Sequence, residues 1–384
     1  MRREGNVRGS RGPGAGEEDP HGPRGTAAEV APDAPPARAY QFDAAPARVY
    51  WELTRACDLA CRHCRASAIR QRSPDELATT EALRVLRALA RATPPPHVVF
   101  TGGDPLKRPD LLHLVERAAE LGLRPSVAPS ATVALDRAAI DDLKRAGVAA
   151  MSLSLDGPGA AQHDGIRGVL GCFGWTLAAA QRVVAAGIPL QINTLVCAET
   201  DPFLEDTAAL VARLGASRWS LFFLVPVGRG RALRPLDAQA CELRLRWLAA
   251  TAEAWPVRVT TTEAPHYRRV LIQHLRARGR PPLAGPHTRS FGLRDGHGIM
   301  FIAADGAVTP SGFLPLAAGH VRRDDPLRVY REAPLFRTLR DPDRFGGRCG
   351  LCEYRMICGG SRARAWATSG QVTGEDPLCA WQPR

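Results

Sequence analysis

Lysine is almost absent from this 384-residue chain. Lys107 and Lys144 are its two lysines, and every other basic side chain is arginine. With 51 Lys+Arg against 39 Asp+Glu the formal charge is +12, which invites a nucleic-acid reading. Such a surface needs its basic residues gathered in a stripe with aromatics. Here the arginines are scattered, and with the Ala, Gly and Pro load they look like a GC-rich coding bias, so nucleic acid is not an expected partner. There is no run of about 18 apolar residues, so no membrane span is expected. Met1-Arg2-Arg3-Glu4-Gly5 leads into no apolar stretch, which argues against a secretory signal and makes the cytoplasm the expected compartment. The 36 glycines and 32 prolines follow no period, which excludes a collagen-like chain. Residues 1 to 42 have almost no large apolar side chain and cannot bury enough surface to offset ordering entropy. They read as a disordered tail, or as the product of a misassigned start codon.

The remainder has the composition of a globular protein, 45% hydrophobic and 23% charged, with length for two or three compact units. From Arg48 short apolar runs alternate with amphipathic stretches. Strands are expected to start near 49, 97, 125, 148, 190 and 219, with helices over 80–92, 110–121, 136–146, 173–186 and 203–214. Gly122, Gly147, Gly187 and Gly215 follow four of those helices as stop signals. Alternating strands and helices imply a parallel sheet. Six strands are too few for a closed eight-stranded barrel, so a partial barrel or an open doubly wound sheet fits. In both, chemistry belongs at the carboxyl ends of the strands. The rhythm changes near residues 232–240, where helices over 238–253 and 267–278, a hairpin over 298–309 around Asp305-Gly306 and a cysteine-rich end make a second domain.

The ten cysteines carry more information than the charge. A cytosolic chain of this size needs no disulfide staples, so clustered cysteines point to metal or catalysis. Cys57, Cys61 and Cys64 form a C-x3-C-x2-C loop directly after the first strand. Three thiolates on one loop can converge on an iron–sulfur cluster and leave one iron open, the mark of a catalytic rather than a structural metal. Zinc with His63 as fourth ligand is the alternative. Cys349, Cys352, Cys358 and Cys379, spaced x2, x5 and x20, supply a full ligand set for a further cluster or for a zinc ribbon. Cys172, Cys197 and Cys241 read as packing.

The stretch Thr54-Arg55-Ala56-Cys57-Asp58-Leu59-Ala60-Cys61-Arg62-His63-Cys64 resembles the signature loop of radical S-adenosylmethionine (SAM) enzymes, with His63 where an aromatic is usual. The resemblance implies a 4Fe-4S cluster on Cys57, Cys61 and Cys64 whose fourth iron binds SAM. Thr101-Gly102-Gly103-Asp104-Pro105-Leu106 is similar to the family's Gly-Gly-Glu-Pro motif, with a shorter carboxylate at Asp104. Two glycines let backbone approach a ligand closely, and Gly102, Gly103, Asp104 and Pro105 would meet the SAM ammonium. Ser152-Leu153-Ser154-Leu155-Asp156-Gly157 resembles the family's segment beside the SAM ribose and carboxylate. Ser154 and Asp156 would share one side of an extended strand, Arg167 would meet the SAM carboxylate as a charge-assisted pair, and Asn193 would face SAM.

The run Cys349 to Ala365 resembles a SPASM domain, an auxiliary-cluster domain that follows radical SAM cores. Two-cluster forms carry another cysteine in the preceding hairpin, where this chain reads Pro310-Ser311-Gly312-Phe313. One auxiliary 4Fe-4S cluster is therefore expected, fully ligated by Cys349, Cys352, Cys358 and Cys379 and suited to electron transfer or structural support. After the tail over 1–42, read from composition, the resemblance implies a partial (β/α)6 TIM-like barrel over 43–235 and linker helices with the SPASM domain over 236–384. The implied chemistry is reductive SAM cleavage to a 5′-deoxyadenosyl radical that abstracts hydrogen from substrate, with flavodoxin or ferredoxin as electron donor. The run Cys358-Gly359-Gly360-Ser361-Arg362-Ala363-Arg364 and the opening Thr54-Arg55-Ala56-Cys57 look most like a subgroup serving haem and modified-haem biosynthesis, which acts on propionate side chains. Arg229 and Arg231 suit substrate carboxylates. A maturase of a ribosomally made peptide is the second expectation, although residues 1–47 are too short and polar for a winged-helix peptide-recognition domain. The third is a non-enzymatic zinc-binding interaction protein.

Overall fold

Short alternating strands, each with one apolar edge, set the architecture. The structure, a computed structural model, describes residues 42–280 and 293–383. The tail expected over 1–42 therefore lies outside the described residues except for Phe42. The six expected strands form as β1 (Arg48–Glu52), β2 (His97–Thr101), β3 (Arg124–Val127), β4 (Ala150–Ser154), β5 (Leu190–Val196) and β6 (Arg218–Phe223). They pair in chain order, all parallel. Between them run α1 (Thr79–Leu89), α2 (Leu111–Glu120), α3 (Arg137–Arg145), α4 (Ala160–Arg167), α5 (Cys172–Ala185) and α6 (Leu204–Arg213). The glycines expected to stop four of these helices have φ between 71 and 87°, the left-handed region that favours glycine.

Two further parallel strands extend this sheet, the first not expected from the sequence and the second expected only as one arm of a hairpin and not as a partner of β1. β7 (Arg258–Thr262) adds beside β6 after α7 (Ala238–Thr251). It is followed by α8 (Tyr267–Ala277) and the two-residue β8 (Arg294–Asp295). β9 (Gly298–Ile302) then pairs parallel to β1 at the other edge, so residues beyond 235 supply a strand at each side of the six. β9 turns through Asp305-Gly306 into β10 (Ala307–Thr309), the expected antiparallel hairpin, and β11 (Gly319–His320) pairs with β10. Four short helices complete the chain: α9 (Pro326–Glu332), α10 (Pro334–Arg340), α11 (Gly347–Leu351) and α12 (Arg362–Ser369). The sheet path ends at β7 without returning to β9, which makes the barrel partial among the described residues.

Period-two alternation gives the sheet two unlike faces. Val49, Trp51, Val98, Phe100, Leu153, Ile192 and Trp219 are fully buried and pack with helix residues such as Leu86, Leu114, Leu143, Val183 and Val211. The opposite face carries Tyr50, Val99, Thr101, Ser152, Ser154, Gln191 and Asn193, all half-buried and mostly polar. A hydrophobic outer layer thus holds in place a polar inner face. No single helix among the described residues is long and apolar enough to cross a membrane.

Candidate active site

The three-cysteine loop leaves the carboxyl end of β1 and is tied down along its length. Thr54 Oγ1 donates to Glu76 Oε1 at 2.6 Å and Arg55 N donates to the same oxygen at 3.1 Å. Cys57 N donates to Ile69 O at 2.8 Å. The end of α4 grips the middle, where Ala60 N donates to Arg167 O (3.1 Å) and Arg62 N to Ile166 O (2.8 Å). The segment after β6 grips the end, with Arg229 N donating to Cys64 O at 3.0 Å and Arg229 Nε to Cys61 O at 2.9 Å. Arg65 Nη1 lies 2.9 Å from Glu52 Oε2, and its guanidinium stacks 4.4 Å from the Phe301 ring centroid, which fixes the loop's return to β1 and β9.

Gly102-Gly103-Asp104 runs directly against this loop. Gly103 N donates to Thr54 O at 2.8 Å and Asp104 N to Ala56 O at 2.7 Å. A Cβ on Gly103 would lie 2.4 Å from Ala56 O, so the close approach requires glycine. Asp104 is turned into its own loop. Its Oδ1 accepts from Leu106 N (3.1 Å) and Ser130 N (3.3 Å), and burial pushes its carboxyl up to about 6. The motif therefore offers backbone at its surface, with Pro105 opening a short 3-10 turn behind it.

Cys57, Cys61 and Cys64 pack in one cluster of side chains, with Cys172 beside them. Leu59 N donates to Cys57 Sγ at 3.3 Å and Ala68 N to Cys64 Sγ at 3.4 Å, contacts that favour thiolate ligands. Ser130 Oγ lies 3.2 Å from Cys57 Sγ and 3.1 Å from Gly103 O, joining the cysteine loop to the glycine motif. The sequence reading missed Ser130. Its one signal is a short polar residue just past the carboxyl end of β3.

Ser154 ends β4 and stands in register with Asn193 on β5. Asn193 Oδ1 accepts from Gln191 Nε2 at 2.7 Å. Asp156 lies past the strand end and is buried. Its Oδ1 accepts from Leu195 N at 2.7 Å, and its Oδ2 is 2.6 Å from Arg167 Nη2. Burial opposes its charge most strongly, but Arg167 together with His63, His163 and the Leu195 amide outweighs it and holds the carboxyl below its usual range. Arg167 is the buried end of α4, not an exposed loop residue. His163 Nδ1 accepts from Asp156 N at 3.1 Å, and burial with Arg167 nearby lowers the imidazole to about 4, so it is neutral at pH 7. Arg231 is exposed, and Arg229 is engaged with the cysteine loop.

Buried polar atoms without partners gather around the loop: His63 Nδ1, Arg167 Nε and Arg229 Nη2. Such atoms are costly unless a ligand or water meets them. Among the described residues, neither cysteine set brings three ligand atoms within 4.8 Å of one another. The group that is that close, His163, Asp164 and Cys172, is a hydrogen-bonded helix start. Cys172 Sγ donates to Asp164 Oδ1 at 3.2 Å, and Gly171 N and Phe173 N donate to the same carboxylate at 2.7 and 2.8 Å.

The four terminal cysteines line one cavity with His266 and Arg269. Tyr354 N donates to Cys352 Sγ and Gly360 N to Cys358 Sγ, each at 3.4 Å, and Asp376 N and Arg362 Nη2 donate to Cys349 Sγ at 3.5 Å. A second cluster therefore fits as well. Cys197 and Cys241 are buried, with thiols pushed up by burial, as packing residues should be.

Comparison with known proteins agrees with this geometry. Residues 51–211 match the family model of the Radical SAM superfamily. The chain is 38% identical over 341 residues to an AdoMet-dependent heme synthase of Oleidesulfovibrio alaskensis, covering 88% of this chain and 87% of that protein. It is 33% identical over 351 residues to a mycofactocin maturase of Mycobacterium ulcerans, covering 87% and 88%. Among solved structures, Streptococcus suis SuiB bound to S-adenosylmethionine superposes with a TM-score of 0.67 at 16% identity, covering 88% of this chain and 78% of that one. By sequence likeness over most of its length, this chain is an enzyme that belongs to the radical SAM superfamily.

Proposed function

We propose that this enzyme cleaves SAM at a 4Fe-4S cluster on Cys57, Cys61 and Cys64 and acts on propionate side chains of a haem-type tetrapyrrole, by modification or decarboxylation. The cluster and SAM together would supply, for one electron taken from the donor and consumed in releasing methionine, a 5′-deoxyadenosyl radical that removes hydrogen from substrate. The chain's own groups do the rest. Backbone at Gly102 and Gly103, backed by Asp104 and Pro105, receives the SAM ammonium. Ser154 and Asn193 present polar atoms from the inner face at the carboxyl ends of β4 and β5. Arg167 Nε, His63 Nδ1 and Arg229 Nη2 are the buried atoms left to meet the cofactor. Asp156 acts from behind, by holding Arg167. The buried collar around the loop limits water near the reacting centre.

Cys349, Cys352, Cys358 and Cys379 hold one auxiliary 4Fe-4S cluster in the SPASM-like part, 236–384, which follows the core of 43–235 in the chain and also lends β7 and β9 to its sheet. Full ligation suits electron transfer or structural support, and a small carrier such as flavodoxin or ferredoxin feeds the first cluster. The observation that carries the tetrapyrrole reading is the 38% identity to a heme synthase across 88% of the chain. A second reading, maturation of a ribosomally made peptide, draws on the 33% identity to a mycofactocin maturase. Anaerobic incubation of reconstituted protein with SAM, reductant and iron coproporphyrin tests the first. A porphyrin that loses side-chain mass, with porphyrin-dependent 5′-deoxyadenosine, is expected. An unchanged porphyrin with no such product sinks it, and a precursor-peptide gene beside this one would favour the second.

A further inference from the structure

Arg167 closes α4 and is nine-tenths enclosed. Its guanidinium serves two partners at once. Nη2 lies 2.6 Å from Asp156 Oδ2, and Nη1 points at Cys61 Sγ, 3.6 Å away, within reach of a hydrogen bond to sulfur. The geometry is fixed from several sides. Asp156 is pinned by Leu195 N and by the imidazole of His163, and Arg167's own carbonyl takes the amide of Ala60, one residue before Cys61. The end of α4, the end of β4 and the cysteine loop therefore form one rigid unit around a single sulfur.

We infer that Arg167 sets the reduction potential of the SAM-binding cluster through Cys61, with Asp156 as its positioning residue. This rests on the reading that Cys61 ligates that cluster. Hydrogen bonds to cluster sulfurs and nearby net charge tune such potentials. A guanidinium is charged at every accessible pH, and in a water-poor site its field is weakly screened. It therefore favours the reduced cluster, the form that delivers an electron to SAM. The fork geometry matters too. One Nη meets the carboxylate while the other meets the sulfur, a span that a lysine ammonium cannot cover from this helix end. Asp156 offsets part of the added charge, so the cluster feels a polarised pair and not an isolated cation.

The test is an EPR-monitored redox titration of reconstituted protein without SAM, with the relevant signal identified by its loss in Cys61→Ala. Arg167→Gln should move that potential to more negative values, and Arg167→Lys should fall between Gln and wild type. Arg167→Gln with Asp156→Asn should shift less than Arg167→Gln alone, because the offsetting charge leaves with the cation. The auxiliary signal should stay where it is. An Arg167→Gln protein with full iron content and the wild-type potential overturns the inference. If that variant fails to hold the cluster, Arg167→Lys decides, and an unshifted potential overturns it. A wild-type chain with no Cys61-dependent signal overturns the cluster reading and this inference with it.

Discussion

Arg364 and Asp376 form a fully buried ion pair, with Arg364 Nη1 3.0 and 3.1 Å from the two carboxylate oxygens. The same guanidinium donates to Leu224 O at 3.2 Å and Glu263 O at 2.6 Å, past the ends of β6 and β7. Asp376 Oδ2 also accepts from Ser361 N at 2.8 Å. One pair thus staples the cysteine-rich end to the carboxyl edge of the barrel. Burial opposes the Asp376 charge most strongly, and Arg364 with His266 and the Ser361 amide together outweigh it, so the carboxyl sits below its usual range. Removing one partner leaves an uncompensated buried charge. Asp376→Ala should cost about 3–5 kcal/mol in denaturant unfolding, while replacing both partners by apolar residues of similar size should cost much less.

The two cysteine sets should separate by phenotype. Cys61→Ala removes a ligand from the loop held by Gly103, Arg167 and Arg229, and should abolish 5′-deoxyadenosine formation. Cys358→Ala touches the other cavity, and should leave SAM cleavage measurable while lowering stability or substrate turnover. Product chromatography after anaerobic incubation reads both. Cleavage that survives Cys61→Ala would mean that the loop does not hold the catalytic cluster.

Gly103 meets the cysteine loop backbone to backbone, and an added Cβ would sit 2.4 Å from Ala56 O and 2.7 Å from Arg55 O. Neither oxygen is on a flexible side chain, so the loop itself must shift. Gly103→Ala should cost about 1–3 kcal/mol in stability and suppress SAM cleavage more than tenfold, read by thermal unfolding and by 5′-deoxyadenosine yield.

His163 gives stability a pH dependence of defined sign. Burial, with Arg167 next in effect, lowers its pKa from 6.5 to about 4. The unfolded chain therefore takes up a proton that the folded chain refuses, and stability is lost as pH falls from about 6.5 towards 4. The loss attributable to this group should approach about 3 kcal/mol at the low end. His163→Gln should flatten that limb of a plot of melting temperature against pH, relative to wild type.

What was legible in the sequence had a local cause. β1 to β6 are short apolar runs, and glycine stops mark the helix ends. The cysteine and glycine motifs are contiguous, so their spacing speaks before any folding. What was hidden depends on distant parts of the chain meeting. β7, Arg258–Thr262, is rich in threonine and comes after the rhythm changes. β9 pairs with β1 across most of the chain. α4 has Gly165 in its interior and reads as loop, which hid the burial of Arg167 and its contact with Cys61. Arg229 has arginine's general fitness for a substrate carboxylate, yet two of its nitrogens hold backbone carbonyls of Cys61 and Ala68. Residue type gave its capacity, and position decided its partner.

The most direct test of the account is the iron and acid-labile sulfide content of the anaerobically reconstituted chain, beside its zinc content. Two four-iron clusters on seven cysteines predict about eight irons and as many sulfides per chain, falling by about half in Cys349→Ala. Stoichiometric zinc with no labile sulfide would contradict it.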